Sequence, residues 1–175
     1  GTFFQKMALR RDVIDAKGTA VKFNNVAFEY GDDIARVNGT GSISAPVVFA
    51  GNGWMVKSKG LNPYANIDVK GKVVAVYGEG QPSGRSLVPM PAGITQADLT
   101  GTRGTDWADV NTYARANGAV GVLILPSKFL AENWSAVTEN FGRGRMVVDK
   151  LVPQTPATPA GPSFSTLIAS PKLGK

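Results

Sequence analysis

The sequence predicts an α+β, β-rich fold, a mixed sheet with two or three short helices, and three observations predict it. Gly71-Lys72-Val73-Val74-Ala75-Val76-Tyr77 and Gly118-Ala119-Val120-Gly121-Val122-Leu123-Ile124-Leu125 are short apolar runs rich in β-branched residues, and they read as buried strands. Between them, Thr105 to Asn117 is the best helical stretch. Strand, long loop, helix, strand is a crossover unit, which places its two strands parallel in one sheet. Around this unit lie several short strand candidates punctuated by Gly, Pro, Asn and Asp.

In chain order, residues 3–11 alternate at Phe3, Gln5, Met7 and Leu9, which predicts a strand. Val21-Lys22-Phe23 and Val26-Ala27-Phe28 are two more, joined by Asn24-Asn25, a turn dipeptide because Asn tolerates positive φ. Tyr30-Gly31-Asp32-Asp33 is a turn; the paired carboxylates suggest a cation site, but the Ca²⁺-loop pattern is missing and a solvated turn explains them. Val47-Val48-Phe49-Ala50 is a strand that stops at Gly51-Asn52-Gly53, a turn rather than a phosphate loop, since no helix follows. Trp54-Met55-Val56 is read as an extension of the sheet, and residues 62–71 as the loop into the central strand.

Residues 78–104 are rich in Gly and Pro, and Arg85 and Arg103 are their only basic residues. A loop of that length is either functional or a tolerated insertion. The helix opens at Thr105 or Asp106, both good N-caps, with Asp109 adding charge near its positive end. Trp107, Val110, Tyr113 and Ala114 form its apolar stripe, read as core-facing rather than as an aromatic binding box, and Gly118 stands where a left-handed cap is expected. Ser127 caps a short helix over 128–134. A strand is expected over 145–151, extended loop over 153–162 and a last strand over 163–169. Ser170-Pro171-Lys172-Leu173 looks like a helix start, and its stop at Lys175 predicts a piece of a longer protein.

Length and composition bound the function. One domain spanning 1–175 has an ample core, and no run reaches the roughly 18 apolar residues that span a membrane. Gly1-Thr2-Phe3-Phe4 has no basic flank and no long apolar core, so no signal peptide is read there. Net charge is +6 and the pI about 9.7, but the basic residues are dispersed among acidic ones and lack the interleaved aromatics of a nucleic-acid binder. The chain has no Cys and no His. That excludes disulfides, thiolate nucleophiles, histidine bases and zinc sites built on either ligand, leaving chemistry by carboxylates or a Ser-Lys pair. Asp106 and Asp109 beside Arg103 are the carboxylates for such an enzyme, although a helix N-terminus already explains them.

Four blocks carry a resemblance. Ala45-Pro46-Val47-Val48-Phe49-Ala50-Gly51-Asn52-Gly53, the stretch 62–76 with Asp68-Val69-Lys70-Gly71-Lys72-Val73, Ala114 with Gly118-Ala119 and Gly121-Val122-Leu123-Ile124, and the stretch 162–173 resemble the protease-associated (PA) domain of zinc-dependent aminopeptidases. This is the leucyl aminopeptidase and glutamate carboxypeptidase-like family. Two positions depart: the family commonly has Tyr where Asn52 stands and often an acidic residue where Asn62 stands. The resemblance implies a swivelling β/β/α fold with an open, barrel-like sheet. It also implies a non-catalytic lid or protein-interaction module beside a peptidase active site. Zinc and its ligands would then belong to the flanking peptidase domain, and no cofactor to this one. The partners implied are that peptidase domain and a peptide or protein substrate, with no nucleic acid and no membrane span. The family is typically exported, so a periplasmic or extracellular location is expected.

Trp54, Tyr64, Arg85 and Arg103 are the candidate ligand or partner contacts. Trp, Tyr and Arg dominate interface energetics, and the loop after a central strand leaves from the strand's carboxyl end, where α/β sheets present ligand sites. Arg85 and Arg103 there suit a peptide carboxylate held in bidentate fashion. For Trp54 the alternative is a core position.

Overall fold

The computed structural model describes residues 8–39, 41–81, 86–148 and 163–174. The expected strand residues Phe3 to Met7, Arg85, the end of the strand expected at 149–151 and the Pro-rich stretch 153–162 lie outside them.

The centre is a mixed five-stranded sheet of β4 (Ile34–Asn38), β5 (Val47–Phe49), β7 (Val73–Val76), β9 (Gly121–Ile124) and β11 (Ser165–Ala169), in the order β4-β11-β9-β7-β5. β5, β7, β9 and β11 run parallel, and β4 closes one edge antiparallel to β11. The two apolar runs thus form the parallel pair expected, Val74 beside Val122 and Val76 beside Ile124. Three two-stranded sheets flank this one: β1 (Leu9–Asp12) with β10 (Arg145–Val148), β2 (Val21–Phe23) with β3 (Val26–Phe28), and β6 (Met55–Val56) with β8 (Trp107–Ala108). Asn24 and Asn25 turn the β2–β3 hairpin with φ of 47° and 66°, as Asn can.

The helices are α1 (Val110–Ala116), α2 (Lys128–Glu132) and α3 (Trp134–Gly142). Here the sequence reading needs correction. Helix α1 starts at Val110, not at Thr105 or Asp106, and Asp109 is the cap itself: its carboxylate accepts from Thr112 N at 3.0 Å. Trp107 and Ala108 are strand because they pair with Val56 and Met55, a partner some fifty residues away that local spacing cannot reveal. For the same reason Met55–Val56 forms its own small sheet with β8 instead of extending the main one. Ser127 caps α2 as expected, accepting from Leu130 N at 3.2 Å, but the helix ends at Glu132 and a separate α3 follows. β4 and α3 had no strong local signal. Gly118 at φ 74° ends α1 in the left-handed cap expected.

One face of the main sheet is sealed. Val74, Val76, Val122, Ile124 and Ile168 are at most 2% exposed, and Val110 and Ala114 of α1, Leu130 of α2, Trp54, Tyr64 and Val88 join the same cluster. Burying each large aliphatic there contributes roughly 1.5–3 kcal/mol. Gly53 shows how tight the seam is. A Cβ on it would stand 2.7 Å from Val76 Cγ1 and 2.8 Å from Val110 Cβ, and its φ of 72° already demands glycine. Thr166, a buried polar side chain on this strand face, donates to Asn111 Oδ1 of α1 at 2.9 Å.

Candidate functional site

Of the four residues singled out by type, two are interior. Trp54 is 4% exposed, and its indole Nε1–H donates to Val88 O at 3.2 Å, which ties the Gly/Pro-rich stretch to the core. Tyr64 is 3% exposed, stacks on Tyr113 with centroids 3.7 Å apart, and donates its hydroxyl proton to Gly53 O at 2.8 Å. Burial, then the neighbouring Tyr113 and Asp109, push its phenol well above the ordinary range. Both rings therefore act as packing groups, which is the alternative reading for Trp54 and a correction for Tyr64. Arg85 lies outside the described residues.

Arg103 is on the surface, but it is engaged. Its guanidinium pairs with the Asp109 carboxylate and lies over the Trp107 ring, 5.6 Å from the centroid. Burial alone would raise the Asp109 pKa and is the largest single effect. The Thr112 amide, Arg103 and the Thr112 hydroxyl together outweigh it, and the net displacement is downward. Asp109 is a carboxylate held ionised by a helix cap and an arginine. Asp106 closes the adjoining loop, accepting from Thr102 N at 2.8 Å, with Lys57 at 3.8 Å. Both carboxylates are engaged, one in the loop and one in the cap, and Arg103 meets an incoming carboxylate in competition with Asp109.

The stretch 78–104 is built in at its second half. Val88 is fully buried, and Thr95 and Asp98 form a reciprocal capping box around a short 3-10 turn at Gln96–Asp98. Asn52 and Asn62 have one physical role: each side-chain oxygen accepts the amide two residues on, from Trp54 N at 2.9 Å and Tyr64 N at 3.1 Å.

Sequence reasoning missed a concave feature. A cleft of about 740 Å³ lies between the unsealed face of the main sheet and the β2–β3 hairpin. Val47, Val73, Ala75, Leu123 and Leu167 form its floor, and Val21, Phe23 and Phe28 its opposite wall. The floor residues occur at every second position along their strands, so they are the other half of the runs whose alternate members make the core. Lys22 is the only charged residue among the described residues that line the cleft. The available signal was the Val21, Phe23, Val26, Phe28 pattern, which gives the hairpin one apolar side.

Among the described residues no group of three or more His, Cys, Asp or Glu is placed to hold a metal ion, and no helix is long and apolar enough to cross a membrane. No family model, no curated protein and no solved structure matches the chain.

Proposed function

We propose that this chain is a non-catalytic PA-type domain of an exported zinc aminopeptidase, serving as a lid or as a module that contacts substrate or protein near the active site. The observation that carries the reading is where the resembling blocks fall. They are β5 with its Gly51-Asn52-Gly53 turn, the approach to β7 and β7 itself, the end of α1 with β9, and β11 with the short 3-10 turn after it. These are the parallel strands and joints of the main sheet, in the family's order. Chemistry agrees with a non-catalytic role. The chain has no His or Cys to ligate zinc, so in this reading the metal and its ligands lie in the flanking peptidase sequence. The cleft offers apolar surface and one lysine, a binding surface rather than an acid–base pair.

Two other readings have less behind them. A carboxylate enzyme would need Asp106 and Asp109 free, and both are committed to loop and cap. A nucleic-acid binder would need an open basic face. Instead Lys57, Lys59, Lys72, Lys128 and Arg143 each pair with an acidic neighbour.

The test is enzymatic. The 175-residue chain with zinc should show no aminopeptidase turnover. Removing the domain from its parent should change kcat/KM for long peptides more than for single amino-acid anilides. Zinc-dependent turnover by this chain, or an equal effect on both substrate classes, overturns the proposal. Arg103→Ala in the parent separates recognition from support: kcat/KM unchanged on peptides means that Arg103 serves Asp109 and Trp107 alone.

A further inference from the structure

Among the described residues the main sheet ends at β5, whose single strand partner is β7. Pro46 O accepts from Val73 N at 2.9 Å, and Ala50 N donates to Ala75 O at 2.9 Å. Peptide groups alternate sides along a strand, so Val48 also faces β7. The N–H and C=O groups of Val47 and Phe49 point to the outer edge, where no described residue bonds them. The side chains of Val47 and Phe49 are 37% and 57% exposed and share the strand face of Val73 and Ala75, the face that floors the cleft. Edges are usually blunted by lysine, proline or a bulge, and Val47-Val48-Phe49 carries none of these; only its shortness protects it. Val48 packs against the core, which holds the edge in place. Lys22, at the same cleft, makes no ion pair among the described residues.

We infer that the β5 edge and the adjoining cleft bind an extended peptide segment with apolar residues at alternate positions and a carboxylate that reaches Lys22. The peptide main chain pairs with Val47 and Phe49 as an added strand, and every second side chain then lies on the cleft face beside Val47. Outward N–H and C=O groups at strand spacing are matched by another strand's backbone, which a lipid tail or a sugar does not supply. The unpaired lysine selects an acidic residue or a terminal carboxylate over a basic one. The inference rests on the edge and the cleft and stands apart from the peptidase reading: a chain of any parentage with this edge would bind the same probe.

The probe is acetyl-Val-Thr-Val-Thr-Glu-amide, whose two valines and glutamate share one strand face, with the same peptide N-methylated at every residue as its control. Each is titrated into the ¹⁵N-labelled chain, and amide hydrogen exchange is read at Val47 and Phe49. Both amides should exchange freely in the free chain and slow by about tenfold or more with the first peptide only, since each new hydrogen bond protects its donor. Val47→Pro removes one outward donor at an edge position that accepts proline, and should weaken binding about tenfold with the melting temperature kept. Should that variant not fold, Phe49→Thr leaves the backbone intact and should still lower affinity for the valine probe. Lys22→Met should weaken binding a few-fold and flatten its salt dependence. Equal binding of the two peptides, or no new protection at Val47 and Phe49, overturns the inference. Protection of both amides in the free chain also overturns it: if dilution removes the protection, a second copy occupies the edge, and if not, the chain covers its own edge.

Discussion

The two faces of the main sheet are drawn from the same strands, yet they have different fates. On one face Val74, Val76, Val122, Ile124 and Ile168 are sealed beneath α1, α2 and the packed rings of Trp54 and Tyr64. On the other, Val47, Phe49 and Tyr77 are exposed by a third or more, and Val73, Leu123 and Leu167 floor a cleft. The difference lies in the covering element, not in the strand. A buried parallel sheet needs helices on both faces, and here the helices serve one face while a small hairpin stands off the other. A strand can therefore be core on one side and a binding surface on the other with no change in its composition.

The largest expected effect tests this directly. Ile124→Ala should cost about 2–5 kcal/mol in urea unfolding, because it empties a sealed site. Its neighbour Leu123→Ala, which faces the cleft, should cost about 1 kcal/mol or less. Equal losses would mean that the cleft face is covered as fully as the core face, and the comparison would break. Next, Gly53→Ala adds a methyl between Val76 and Val110 at a positive φ, and should destabilise by about 2–3 kcal/mol. A neutral result would show that the sealed face has slack.

A smaller effect concerns the cover itself. Asp109→Ala removes the cap of α1 and should cost about 1–2 kcal/mol, whereas Asp109→Asn keeps a side-chain acceptor and loses less. Because the folded-state pKa of Asp109 lies below its unfolded value, its charge contributes stability at pH above the unfolded value. That contribution fades as pH falls through the folded one. Asp109→Asn should accordingly flatten the acid limb of a stability–pH curve, and an unchanged limb would remove Asp109 from that role.

The smallest effect belongs to neither face and serves as a control. Asp98 is held down to about 2, first by the Thr95 amide, then by Lys59 and the Thr95 hydroxyl. Its contribution is complete above the unfolded value of 3.8 and is lost as pH falls toward about 2. Carboxyl ¹³C shifts should show that low midpoint, and Lys59→Met should move it upward. An ordinary midpoint in the native chain would show that the capping box is loose.

Legibility followed the range of the interaction. The β2–β3 hairpin was readable because Asn24-Asn25 decides its turn locally, and the Ser127 cap and the Gly118 stop were readable for the same reason. The start of α1 was not. Thr105, Asp106 and Asp109 are all competent caps, and the choice fell to Asp109 because Trp107-Ala108 pairs with Met55-Val56. Of the site candidates, residue type singled out Trp54 and Tyr64 as ligand or partner contacts, and both rings lie inside. Their amphipathic chemistry suits an interior hydrogen bond as well as an interface, and here both polar ends are satisfied inside.

By itself the sequence determined the β-rich class, the parallel pairing of the two apolar runs through a crossover, the turn positions and, through the absence of His and Cys, the chemistry closed to this chain. Each of these depends on residues near one another or on simple inventory. Only the tertiary structure decided that Trp107 is strand, that Arg103 is spent on Asp109 and Trp107, and which face of the main sheet is sealed. The physical reason is that a continuous apolar run has no preferred face: alternation assigns its side chains to two sides, and which side becomes core depends on elements placed by contacts far away in sequence.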